Sequence, residues 1–224
     1  MELHSYADDD MMMMAVANVL ADDIRTRLAV ADRAAIAVAG GATPGPVFDY
    51  LAHVDLDWAR VDVMLTDERW VDPGSARSNT RLLTERLFAG KAAEAVLIPL
   101  YDGAQAPEDG LEALSGPVRA ALPLASVLLG MGEDMHTASL FPDGDQIDAA
   151  MSPDAPVLMA MRAPGVPEPR VTLTFPVIEG AIRKHLVIRG AAKKAALDRA
   201  QALDDPQTAP ISAFLSELDV HWCP

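Results

Sequence analysis

At 224 residues the chain is long enough to bury a sizeable core and short for two domains, so one α/β domain spanning residues 1–224 is expected. With 18 Lys and Arg against 33 Asp and Glu, its formal net charge of -15 repels nucleic acid and anionic membrane surfaces. The single cysteine, Cys223, excludes a disulfide framework and a thiolate metal cluster, and no histidine pairs with another at a ligand spacing such as H-E-x-x-H.

No apolar run approaches the ~20 residues that cross a bilayer. Glu2 and the acidic run Asp8 to Asp10 are the opposite of a cationic signal-peptide start, so a cytoplasmic location is expected. Met11 to Leu28 has apolar residues at helical spacing, with Asp10 as the expected N-cap. Its four consecutive methionines suit a helix buried over a wide face. Ile36 to Ala39, within Arg33 to Ala39, is a first buried strand. It runs into Gly40-Gly41-Ala42-Thr43-Pro44-Gly45 and a helix through Val47, Tyr50 and Leu51. Strand, glycine turn and helix is an arrangement in which backbone N–H groups hold an anion. A dinucleotide fingerprint needs glycine where Ala42 stands, and a Walker loop needs lysine where Pro46 stands, so neither applies.

Val61 to Leu65 is the next strand, delivering Asp67 and Arg69 to its carboxyl end, where ligands collect in open α/β sheets. A polar loop over residues 72–79 follows, with Ser78 placed to cap a helix over Thr80 to Phe88. Val96 to Leu100 predicts a strand, and Ala106 to Leu122 a helix with Pro107 near its start and Pro117 interrupting it.

Val127 to Leu129 is a short strand stopped by Gly130 and Gly132, directly before Asp134 and His136. Two residues apart on a loop, a carboxylate and an imidazole lie side by side, and the carboxylate fixes the tautomer and raises the basicity of the ring. Thr137 to Leu140 is expected to begin a short helix limited by Pro142. Strands at Pro156 to Met161, Arg170 to Thr174 and His185 to Ile188 come next. Helices are expected from Pro176 toward Ala181 and through Ala200, then a short helix near Ile211 to Leu215 and an edge strand at Val220 to Trp222.

Strand ends thus present a glycine-rich anion loop, Asp67 with Arg69, the Asp134 and His136 pair, and two cations at Arg170 and Lys193. One carboxylate, one imidazole, backbone donors and a few positive charges suit hydrolysis or isomerisation of a small phosphorylated molecule. The segments that carry this chemistry resemble those of the 6-phosphogluconolactonase family. They are Gly40-Gly41-x-Thr43-Pro44, Asp67-Glu68-Arg69-x-Val71 with Ser78-Asn79, the run from Gly130 to Pro142, Arg170-Val-Thr-Leu-Thr, and Gly190-x-x-Lys193. They cover nearly the whole chain in the family's order.

The resemblance implies a doubly wound, mostly parallel, Rossmann-like sheet shared with amino-sugar-phosphate deaminases and ribose-phosphate isomerases. It implies hydrolysis of 6-phosphoglucono-1,5-lactone, a small-molecule substrate, without metal or organic cofactor. A monomer or weak homo-oligomer is expected. On that basis His136 is the expected general base, oriented by Asp134. Arg69 is expected to stabilise the oxyanion or the opening ring oxygen, and Asp67 to hold sugar hydroxyls or position Arg69. Gly40, Gly41 and Thr43, with Arg170 and Lys193, are expected to take the phosphate, and Ser78 and Asn79 to join the substrate site. The rival readings are an amino-sugar-phosphate deaminase or isomerase, and a sugar-phosphate-binding module without chemistry. At one position the chain departs from the family, which usually has glycine where Met135 stands; a positive φ there would strain a methionine.

Overall fold

The computed structural model describes residues 1–224. In chain order its elements are β1 Glu2–Ser5, α1 Asp9–Leu28, β2 Ala34–Val38, α2 Gly45–Leu51, β3 Val61–Leu65, β4 Asp67–Arg69, α3 Asn79–Arg86 and β5 Val96–Leu97. They continue with α4 Pro107–Ala121, β6 Ser126–Leu129, α5 Ile147–Ala150, β7 Leu158–Met161, β8 Arg170–Leu173, α6 Phe175–Glu179, β9 Lys184–Arg189, α7 Gly190–Leu203 and β10 Leu218–Cys223.

Seven strands form one parallel sheet in the order β1-β10-β9-β6-β2-β3-β5. From β2 the chain steps outward through β3 to β5, then returns to β6 on the other side of β2 and steps outward again. This reversal makes the sheet doubly wound and opens a crevice beyond the carboxyl ends of β2 and β6. Every residue of β2 and β6 is buried, which explains why these strands, Ser126 apart, are continuously apolar rather than alternating.

A second, antiparallel sheet has the order β4-β8-β7. The strand expected at Arg170 lies here and not in the main sheet. Asp67 to Arg69, expected as the end of a strand-to-loop passage, is itself the edge strand β4. Its period of two turns Asp67 and Arg69 to one side and Glu68 to the other.

Several expected elements take a different form. The N-cap of α1 is Asp8, whose side chain accepts from the Met11 amide at 2.8 Å, so Asp10 lies within the first turn. Met12 and Met13 are buried whereas Met11 and Met14 are exposed, so the methionine run straddles the boundary of the buried face. Helix α4 continues past Pro117, held to the core by Leu114 and Val118 on either side of it. Strand β5 is only two residues long. The edge expected at Val220 is interior: β10 lies between β9 and β1, and β1 forms the edge. Thr137 to Leu140 is a tight turn, not a helix, closed by the Leu140 amide donating to the Thr137 carbonyl at 2.9 Å. Ala138 within it has φ +50°, which no right-handed helix allows.

Candidate active site

Loops at the carboxyl ends of β2, β6 and β9, with one side of the small sheet, enclose a cavity of about 810 Å³, a size suited to a small metabolite. After β2 the chain turns through Gly40 to Thr43, whose four amides donate to no protein atom. Gly40 is required by close approach: a Cβ there would lie 2.2 Å from Asn79 Cγ. Asn79 is fixed in turn, its side-chain amide donating to the Asp67 carbonyl at 3.0 Å.

The small sheet supplies a wall of mixed charge. Asp67 pairs with Thr172 and Arg69 with Arg170 across the β4–β8 ladder, so two guanidinium side chains stand side by side. The Nε atoms of both arginines are buried without a partner, and Nη1 of Arg69 donates to the Arg77 carbonyl. Burial holds the Arg170 pKa below the usual arginine range, and Arg69 adds to this while Asp67 opposes it. Like charges opposed on adjacent strands destabilise a ladder, so this wall favours an anion. Asp67 Oδ2 accepts from Ser139 Oγ at 2.6 Å and from Arg170 Nη1 at 3.5 Å.

On the opposite side of β4, Glu68 is fully buried and has no cation partner. Its oxygens accept from the amides of Arg69, Asn79 and Thr80 and from the Ser78 hydroxyl, at 2.6 to 3.0 Å. Three backbone donors and a hydroxyl, two of those amides at the N-terminus of α3, satisfy the carboxylate and anchor the strand. Ser78 is thereby spent: its hydroxyl donates to Glu68 and caps α3 through the Arg81 amide. It does not reach the cavity, contrary to the expectation for it.

The third wall is the loop after β6. The Gly132 amide donates to the His136 carbonyl at 2.9 Å and the Met135 amide to the Gly132 carbonyl at 3.1 Å, closing a compact turn. Met135 takes φ +69° to complete it. In this turn Asp134 Oδ1 lies 2.6 Å from His136 Nδ1. That bond is the largest cause of the Asp134 pKa being held below the usual carboxylate range. With Nδ1–H given to Asp134, Nε2 of the neutral imidazole carries a lone pair and has no protein partner. The ring leans on Phe141, centroids 4.6 Å apart. Lys193, in the first turns of α7, donates to the Met131 carbonyl at 2.7 Å and reaches the cavity from a fourth direction.

All the expected site residues except Ser78 therefore meet in one cavity: the glycine loop, Asp67, Arg69, Asn79, Asp134, His136, Arg170 and Lys193. Sequence reading missed Phe141, Arg189 and the loop 163–167 as lining, and Glu68 and Ser139 as supports. The clustering of proline and glycine over residues 164–167 was the available signal for the loop. A separate group that could ligate a metal, Glu2, His4 and Asp219 on β1 and β10, does not line the cavity. No helix is long and apolar enough to cross a membrane.

Comparison with known proteins follows the same lines. Residues 7–222 match the family model for glucosamine-6-phosphate isomerases/6-phosphogluconolactonase. The chain is 42% identical over 220 residues to a 6-phosphogluconolactonase of Rhizobium meliloti, covering 94% of this chain and 95% of that protein. The crystal structure of a 6-phosphogluconolactonase from Shewanella baltica superposes with a TM-score of 0.95 at 28% identity, covering 100% of this chain and 97% of that one. A monomeric glucosamine-6-phosphate deaminase shares the fold, with a TM-score of 0.82 at 17% identity over 100% of this chain and 97% of that one.

Proposed function

The chain belongs to the family of glucosamine-6-phosphate isomerases and 6-phosphogluconolactonases, and on that premise we propose how its cavity hydrolyses 6-phospho-D-glucono-1,5-lactone to 6-phospho-D-gluconate. The observation that carries the reading is His136, with Nε2 unpartnered and Nδ1 backed by Asp134, lining the same cavity as Arg69, Arg170 and Lys193. His136 takes a proton from the water that attacks C1, and Asp134 stabilises the imidazolium that forms. The tetrahedral oxyanion collapses, the C1–ring-oxygen bond breaks, and the imidazolium returns the proton to the leaving oxygen.

The free amides of Gly40 to Thr43, with Arg170 and Lys193, take the phosphate in a protein whose net charge otherwise repels it. Arg69 stands directly opposite Arg170 on the β4–β8 ladder, so in our reading it serves the same anionic group. This replaces the oxyanion role expected from the sequence. Asp67 accepts sugar hydroxyls. The reaction belongs to the oxidative pentose phosphate pathway. Residues 1–224 act as one unit, in the cytoplasm, as a monomer or weak homo-oligomer; a hydrophobic core extending from Met12 to Cys223 supports the single unit.

The test is hydrolysis of freshly generated lactone with the spontaneous rate subtracted. His136→Ala is expected to lower kcat by about 10²–10⁴ with little change in KM, and Lys193→Ala to act mainly on KM. Small and equal effects of His136→Ala on both constants would refute its role as base. Ammonia release from glucosamine 6-phosphate, or ketose formation, would move the chain to the other branch of its family.

A further inference from the structure

We propose that Ser139 is a positioning residue of this site, coupling the histidine-bearing turn to the arginine-bearing sheet through Asp67. The inference rests on the lactonase reading for its kinetic consequences, and on the anion wall alone for its binding consequences. Ser139 is fully buried and does not line the cavity, so it touches no substrate. Its amide donates to Thr172 Oγ1 at 3.1 Å, and its hydroxyl donates to Asp67 Oδ2 at 2.6 Å. Thr172 and Asp67 are ladder partners on β8 and β4. One residue thus fastens the 137–140 turn, which begins directly after His136, to both strands that carry Arg69 and Arg170.

The hydroxyl also decides how Arg170 is used. Asp67 Oδ2 is shared between Ser139 at 2.6 Å and Arg170 Nη1 at 3.5 Å. A full arginine–carboxylate pair closes to about 2.7–2.9 Å, so the short bond from Ser139 holds the carboxylate at a point where Arg170 is only loosely engaged. The guanidinium stays available to an anion in the cavity. Without the hydroxyl, Oδ2 has an unsatisfied lone pair in a buried setting, and the nearest donor that can satisfy it is Arg170. Asp67 and Arg170 then collapse into a tight pair, and the cavity loses part of its cationic wall.

The experiment is a double-mutant cycle read by binding of inorganic phosphate and by lactone kinetics. Ser139→Ala is expected to weaken phosphate binding and raise KM about tenfold, the scale of one lost hydrogen bond, with a smaller change in kcat. In an Asp67→Asn background, where no carboxylate can capture Arg170, the further effect of Ser139→Ala is expected to fall below about twofold. Equal losses in both backgrounds, phosphate binding within threefold of wild type in Ser139→Ala, or no phosphate binding by the wild type would each overturn the proposal. If Ser139→Ala fails to fold, Ser139→Cys, a near isostere with a weak donor, replaces it in the cycle. Phosphate binding of wild-type strength in that variant overturns the proposal, and weakened binding that disappears as an effect with Asp67→Asn supports it. Wild-type protein that binds phosphate but does not hydrolyse the lactone would refute the function while leaving the cycle interpretable.

Discussion

Replacing Gly132 by alanine separates catalysis from folding in this site. A Cβ on Gly132 would lie 2.0 Å from Asp134 Oδ1, 2.3 Å from His136 Nδ1 and 2.5 Å from His136 Cε1, where ordinary contact begins at 3.4 Å. Asp134 and His136 must both retreat, by a distance on the order of 1 Å, and in the proposed mechanism such a misplacement costs about 100-fold in rate. Folding is affected far less. Gly132 has no positive φ, so its backbone accepts alanine. The side chains that must move are 54% and 31% exposed, with room to swing. Gly132→Ala is therefore expected to lower kcat about 100-fold, with a loss of stability below about 1 kcal/mol in urea denaturation. A folded variant with kcat within threefold of wild type would show that the Asp134–His136 geometry is not what drives the reaction.

Three further substitutions probe the frame. Glu68→Gln keeps the shape but turns an amide NH₂ toward backbone donors that now meet carboxylate oxygens, and is expected to cost about 3 kcal/mol in chemical denaturation; a loss below 1 kcal/mol would show the carboxylate is not the anchor. Met135→Val places a β-branched residue at φ +69° and is expected to cost about 1–2 kcal/mol and to lower kcat by displacing His136; unchanged stability would refute the strain. Burial, with His185 and His4 adding to it, pushes His221 down to about 3. The unfolded chain binds this proton near about pH 6.5 and the folded chain refuses it until about pH 3. Stability is thus full above the first value and falls with pH through that window, by up to about 1.4 kcal/mol per pH unit. Urea titrations between pH 7.5 and 4.5 test this, and the slope is expected to shrink in His221→Phe; an identical slope in the variant would remove His221 as its source.

The parallel strands were legible in the sequence because a strand buried on both faces must be a short apolar run, as Ile36, Val63 and Leu128 show. What escaped was wherever tertiary pairing overrode local character. Asp67-Glu68-Arg69 is a charged segment expected only at the end of a strand, and becomes a strand because Glu68 meets four donors at once and because Arg170 lies opposite Arg69. Glu2–Ser5 carries no apolar alternation, and is a strand only because β10 offers it a parallel edge. Residues 137–140 look helical until Ser139 is seen to be tied to Asp67 and Thr172, an arrangement that needs the turn at Ala138. In the site, residue types with obvious chemistry were findable, while the hydrogen bonds of Ser78 to Glu68 and of Ser139 to Asp67 were not. A serine's role depends on which acceptor its hydroxyl finds, and that information lies 72 positions away for Ser139 and 10 for Ser78.

The pairing of β1 with β10 also has a consequence for synthesis on the ribosome. Residues 2–5 are translated more than two hundred codons before their hydrogen-bonding partner, residues 218–223, which must insert between them and β9. Until then the nascent chain exposes the flank of β9, a strand whose Leu186, Val187 and Ile188 are buried in the finished protein. An open, apolar border of this kind invites association with other chains. Ribosome stalling or premature termination between Thr208 and Leu218 would therefore yield aggregation-prone fragments even though every residue lining the cavity had already been made.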